Sequence, residues 1–200
     1  KYSNLTATLS GGDQRTNYAL GGNYWKETTV FPGDFSDTKG SARISVGHRS
    51  PDDRLRVQFS GTYLKEINNL PSNDLVDAAT TLPPIAPPLF LEDGSLNFDG
   101  TDFSNPLADL RNTYDAIGRN LNTNSLISFE LTKGLVLKAN MGYSNFRFKT
   151  IFLNPESAQN PLYFAGPSSR LTEFGDHTTE TWNLEHQDDY STTVFGHKFA

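Results

Sequence analysis

Residues 54–65 read RLRVQFSGTYLK. Leu55, Val57, Phe59, Gly61 and Tyr63 fall on one side of an extended chain, and Arg54, Arg56, Gln58, Ser60 and Thr62 on the other. Successive side chains of a strand point to opposite faces, so the alternation predicts a sheet with one apolar and one wetted face. Just upstream, Ala42, Ile44 and Val46 alternate with Ser41, Arg43 and Ser45, and the turn RSPDD joins the two runs into a hairpin.

The rule extends along the chain. Tyr18, Leu20, Gly22 and Tyr24 oppose Asn17, Ala19, Gly21 and Asn23. Ile127, Phe129 and Leu131 alternate with Ser128 and Glu130; Leu135, Leu137, Ala139, Met141 and Tyr143 alternate with Lys138, Asn140 and Ser144. Weaker alternation at 2–10, 179–189 and 192–200 brings the expected total to about eight strands.

The connections sort by length. SGGDQ, SPDD, TKG and DDYS are short, 27–38 is medium, and 67–118 and 152–178 are long. In an up-and-down meander successive connections lie at opposite ends, so the short turns share one end and the long loops the other. Outer-membrane barrels sort their connections this way, with lipid-facing apolar residues alternating with polar lumen residues. The expected fold is therefore all-β: an antiparallel up-and-down segment of a transmembrane β-barrel. The mean hydropathy of −0.52 fits, because only every second strand residue meets lipid and the loops dilute the average.

Composition narrows the function classes. The net charge of −6 disfavours nucleic acid as a partner. The absence of cysteine excludes disulfides, thiolate metal sites and a catalytic thiol. No nucleophile elbow, phosphate-binding glycine loop or zinc motif is present, so neither an enzyme nor a cofactor is expected.

The longer loop contains TLPPIAPPLFLEDGSLNF at 81–98. SNDLVDAATTL before it predicts a short helix, capped by Ser72 or Asn73, with Leu75, Val76 and Ala79 on one face. Pro83, Pro84, Pro87 and Pro88 impose an extended course, EDGS supplies a tight turn, and SNPLADL restarts the chain at Pro106. A Pro-Pro apolar run, an acidic Asp-Gly turn and NPLA before a polar strand resemble SusC/RagA-type TonB-dependent outer-membrane transporters of the Bacteroidota. SGGDQRTNYALGGNYWKE (10–27) and LTKGLVLKANMGYS (131–144) are similar to that family in the same order. The resemblance implies active import of an oligosaccharide or peptide through a barrel of roughly 22 strands. It also implies an internal plug, a SusD-like surface lipoprotein and the TonB complex as partners, and outer-membrane lipid around the wall. Residues 1–200 are then an internal part of one barrel domain, without the plug.

Candidate chemistry was weighed against plainer roles. Asp93, Ser95, Asn97 and Asp99 have the spacing of a calcium loop's start, yet Phe98 stands where glycine is needed, and a solvated turn is favoured. His48, His177, His186 and His197 lack ligand spacing, although His186 and His197 are expected on opposite arms of one hairpin. Asp52–Asp53 and Asp188–Asp189 are read as turn residues. Tyr24, Trp25, Tyr63, Tyr143, Phe146 and Phe148 are expected to form an interfacial girdle. Phe90, Leu91, Phe98, Phe103, Tyr163 and Phe164, in the loops, are the candidate ligand or partner contacts. The alternatives to an importer are a soluble all-β carbohydrate-binding module and a passive porin-like barrel.

Overall fold

The computed structural model describes residues 1–100, 103–163, 170–194 and 197–199, with the backbone alone for 193–199. Seven strands form one antiparallel sheet in sequence order: β1 (Tyr2–Gly12), β2 (Thr16–Thr28), β3 (Ser36–Arg49), β4 (Leu55–Pro71), β5 (Thr113–Thr132), β6 (Leu135–Asn154) and β7 (Leu171–Tyr190). Each strand pairs with the next one in the chain, and within the described residues the sheet is open. The expected eighth long strand at 192–200 is corrected: β8 (Thr192–Val194) and β9 (His197–Phe199) pair with each other in a separate two-stranded ladder.

Short turns occupy one end, at 13–15, 50–54 and 133–134. The longer connections, 29–35, 72–112 and 155–170, occupy the other. The two long loops are shorter than the sequence suggests because the strands run on. β5, β6 and β7 each have 20 residues, well beyond the ~9–11 needed to cross a bilayer.

Register fixes the two faces, because directly opposed residues share a side. Val46, Phe59, Ser125, Met141 and Leu184 form one continuous row across five strands, and Leu9, Leu20, Ile44, Gly61, Thr123, Tyr143 and Trp182 form another across all seven. On the opposite face, Ser45, Ser60, Asn124, Gly142 and Asn183 share a row. Alternation thus builds an apolar face and a polar face, as the sequence predicts. Arg54 is an exception. It precedes β4, and instead of joining Arg56 on the polar face its guanidinium lies 5.4 Å from the Phe129 ring centroid. Its Nε donates to the Glu130 carbonyl at 2.9 Å, beside the register shift that ends β5.

A single-layer sheet has no core of its own. The buried side chains instead gather mainly where the long loops fold: Leu75, Leu96 and Ala108, with the polar Asn97, Asn105 and Gln159. No helix among the described residues is long and apolar enough to cross a membrane, a statement that does not bear on strands.

Candidate functional site

The loop 72–112 is organised around Asn105, which is 2% exposed. Its Nδ2 donates to the carbonyls of Leu89 (2.7 Å) and Asn97 (2.8 Å), and its Oδ1 accepts the Leu107 N–H at 3.0 Å. The last bond caps a 3-10 helix, Pro106–Arg111, whose first residue has no N–H to satisfy. Asn97 adds a bond from Nδ2 to the Pro88 carbonyl at 2.8 Å. Two asparagines thereby tie the proline run, the Asp-Gly turn and the 3-10 helix together.

Ahead of them lies α1 (Val76–Thr81), whose N-cap is Leu75 rather than Ser72 or Asn73 and carries no side-chain cap bond. The Val76 N–H goes to Asp74 Oδ1 at 2.9 Å, while Ser72 and Asn73 instead reach across to Asn112 and Asp109. Leu75 is buried, but Val76 and Ala79 are exposed, so the three do not share a packed face.

Between this loop and 155–170 opens a cleft of about 370 Å³. Phe98, Phe103 and Tyr163 line it, together with polar groups of Ser104, Asn105, Asp109, Asn112, Asn154, Gln159 and Asn160. Arg111 bridges its two walls by donating from Nη1 to the Ser157 carbonyl at 3.2 Å. Aromatic side chains beside amide groups and the Asp109 carboxylate offer stacking and hydrogen bonds of the kind a polyhydroxylated or peptide ligand takes. Of the six loop contacts expected from sequence, Phe98, Phe103 and Tyr163 thus converge. Phe90 and Leu91, 54% and 49% exposed, sit on the small hairpin closed by the Phe90–Leu96 bridge, apart from the cleft lining. Phe164 lies outside the described residues. The amides were missed by sequence reading; the Asn-Pro step at 105–106 was the available signal.

The apolar face is the second region. Among its aromatics are Tyr24 in β2, Tyr63 in β4, and Tyr143 and Trp182 in β6 and β7, with Tyr18, Phe59, Phe129 and Tyr190 nearer the short turns and Phe174 nearer the long loops. Tyr24 lies in the row of Lys65, two residues farther from the short turns than Tyr63. Tyr63 lies in the row of Asn145, again two residues farther out than Tyr143. From β2 to β6 the line of rings therefore drops by one residue per strand, and Trp182 then stands level with Tyr143. With ~3.4 Å per residue along a strand and ~4.8 Å between strands, the line from β2 to β6 crosses the hydrogen-bond rows at roughly 35°. Strands of transmembrane barrels tilt by about 35–45°, so this oblique line would lie level in a membrane.

No family model and no curated protein matches the chain. Geometry alone therefore speaks for the site.

The expected aromatic girdle is divided. Trp25, Phe146 and Phe148 are on the polar face, where Lys39 Nζ stands 5.0 Å from the Trp25 ring centroid and the two phenylalanine rings stack at 6.2 Å. His177 tilts against Phe146 at 6.4 Å. Trp182 replaces them on the apolar face, a residue the weak alternation of β7 did not single out.

The remaining candidates take structural roles. Asp93 Oδ1 accepts both the Ser95 N–H and hydroxyl, and Asn97 Oδ1 the Asp99 N–H, so their oxygens close turns. The Ser95 hydroxyl, then its N–H, holds the Asp93 carboxyl below its ordinary range. Asp52 is lowered likewise, by the Ser50 hydroxyl and then the Arg54 N–H. Asp53 adopts a positive φ of 58° in the same turn. Asp188 and Asp189 are not in a turn, as expected from sequence, but end β7 on opposite faces, the former 2.8 Å from His186 Nε2 and the latter paired with Lys138. The backbone of His197 pairs with Val194 in the separate β8–β9 ladder, not with β7. His48 Nδ1 shares a 2.8 Å hydrogen bond with the Thr16 hydroxyl.

Proposed function

We propose that residues 1–200 form part of the wall and outer loops of an outer-membrane β-barrel that imports a nutrient. The observation carrying this reading is the apolar face itself. From Leu55 to Tyr63 it runs for ~27 Å along β4, or roughly 21 Å of depth after a ~40° tilt, close to the ~25 Å apolar band of membrane barrels. Leu5, Leu9, Tyr24, Trp182 and Leu184 on this face are 69%, 60%, 45%, 76% and 65% exposed. A water-soluble protein rarely leaves so extended an apolar surface uncovered, which counts against a soluble carbohydrate-binding module.

The importer is of the SusC/RagA type, drawing energy from TonB and working with a SusD-like lipoprotein. Its task is transport, not catalysis. Support for active import over a passive pore comes from the ordered loop 72–112 and its cleft, which would meet an oligosaccharide or peptide at the mouth. The polar face, with amide pairs such as Asn23–Asn4 (2.7 Å) and Asn124–Asn140 (3.0 Å), would line the interior.

Uptake of labelled oligosaccharides and peptides by cells carrying the full-length protein tests this, with and without an uncoupler of the inner-membrane proton gradient. Uptake abolished by the uncoupler supports import; unaffected uptake means a passive pore; no membrane insertion means the soluble module. In the same assay, deletion of Pro83 to Asn97 should reduce uptake and lipoprotein capture. Full retention of both would leave the loop a packing element.

A further inference from the structure

Immediately beyond the apolar band, on the same face and toward the long loops, stands a row of cations. Lys65, Arg119 and Arg147 are directly opposed across β4, β5 and β6. Lys26 follows Tyr24 on this face of β2, as Lys65 follows Tyr63 on β4. Like charges directly opposite one another destabilise a sheet, and three in succession call for a counter-charge. Asp176 supplies it at one end only, accepting from Arg147 Nη2 at 2.9 Å and lying 3.3 Å from Lys149 Nζ. Lys65 and Arg119 are exposed and have no acidic partner among the described residues.

We propose that Lys65, Arg119 and Arg147, with Lys26 beside them, seat the head-group phosphates of lipids in the leaflet on the long-loop side. The inference rests on the membrane reading above. The oblique line of Tyr24, Tyr63 and Tyr143 places aromatic rings at the edge of the hydrocarbon. Glu180 follows Trp182 on β7, whereas Lys26, Lys65 and Arg147 follow two, two and four residues farther out along the strands of those tyrosines. That is the depth at which a phosphate sits above its acyl chains. Guanidinium forks match phosphate oxygens in pairs, and the flexible Lys65 stem lets its ammonium follow a head group. Across β4 to β6 the apolar band and the cation row adjoin as a surface complementary to a phosphorylated lipid, while β7 carries Glu180 and Asp176 on the same face.

The test uses the full-length protein in nanodiscs of phosphatidylcholine containing labelled lipid A. Lipid retained per protein is counted by native mass spectrometry after mild detergent extraction. The wild type should retain lipid A in preference to phosphatidylcholine, less so at high salt. The Lys65→Gln/Arg119→Gln variant should lose about 25-fold in affinity, from ~5-fold for each charge near an anionic surface. An Arg43→Gln/Arg56→Gln variant, altered on the polar face, should match the wild type. Equal retention by all three overturns the proposal while leaving the membrane reading intact. Failure to insert into lipid-A-free discs overturns both. Inorganic phosphate bound as well without lipid as lipid A is with it marks a simple anion site and also overturns the proposal.

Discussion

Tyr143 stands directly opposite Trp182 across β6 and β7, on the apolar face, with no second layer of the described residues over either ring. Rings that expose both an apolar body and a polar tip belong at a water–hydrocarbon boundary. A polarity-sensitive fluorophore at Trp182→Cys in the bilayer-reconstituted protein should report interfacial depth, and one at the neighbouring Asn183→Cys should report water. The opposite pattern would reverse the assignment of the two faces.

Val57 and Gln58 allow the same assignment to be tested by energy. Val57→Arg puts a charge into the apolar band and should cost ~2–4 kcal/mol if near the midplane. Gln58→Arg, on the polar face, should change stability little. Denaturant titration of the folded barrel in lipid decides, and equal costs would remove the distinction.

In water, residues 1–200 alone should aggregate, because among the described residues nothing covers the apolar face or the unpaired edges of β1 and β7. Sedimentation with and without detergent measures this. A monodisperse, cooperatively melting monomer in plain buffer would favour the soluble binding module.

Asn105→Ala removes both donors from the carbonyls of Leu89 and Asn97 and the cap of Leu107. Leaving such buried groups unpaired costs ~1–3 kcal/mol, here confined to the loop. Amide exchange at Asn97 and Leu107 should quicken while β4 and β5 stay protected. Unaltered exchange at those amides would show that Asn105 is not the organiser.

The turn at Asp93 should respond to acid. Its folded-state value is depressed, so the carboxylate's contribution is full above the ordinary aspartate value of 3.8 and is lost as pH falls below that value through the lower folded one. Protection of the Ser95 amide, corrected for intrinsic exchange, should fall in that window and show no such step in Asp93→Asn. A pH-independent protection would contradict the role given to the carboxylate.

Sheet, faces and loop sorting were legible because period two survives wherever one face must be apolar and the other polar. Beyond the band the signal fades. Glu66 to Pro71, Thr113 to Gly118 and Leu171 to Thr178 carry mixed residues on both faces, yet they continue the ladder because backbone pairing alone extends it. The loops are therefore shorter than alternation alone suggests, and Trp182 lies in 179–189, where Glu180 on the same face weakens the alternation. The Asp74–Val76 bond and the Asn105 hub are hidden for another reason: each depends on which distant or neighbouring backbone groups the fold presents, and asparagine or aspartate in a loop advertises only a turn.

Because every strand pairs with its successor, the order in which the sheet can assemble follows from its connections. The turns at 13–15, 50–54 and 133–134 close cheaply, and so, at moderate cost, do 29–35 and 155–170. Joining β4 to β5 means closing a loop of ~40 residues, about 2.5 kcal/mol more in chain entropy than a two-residue turn at ~0.6 kcal/mol per doubling. The nascent sheet is thus two ribbons, β1–β4 and β5–β7, zipped last along Leu55–Pro71 and Thr113–Phe129, and a stalled chain would part along that seam.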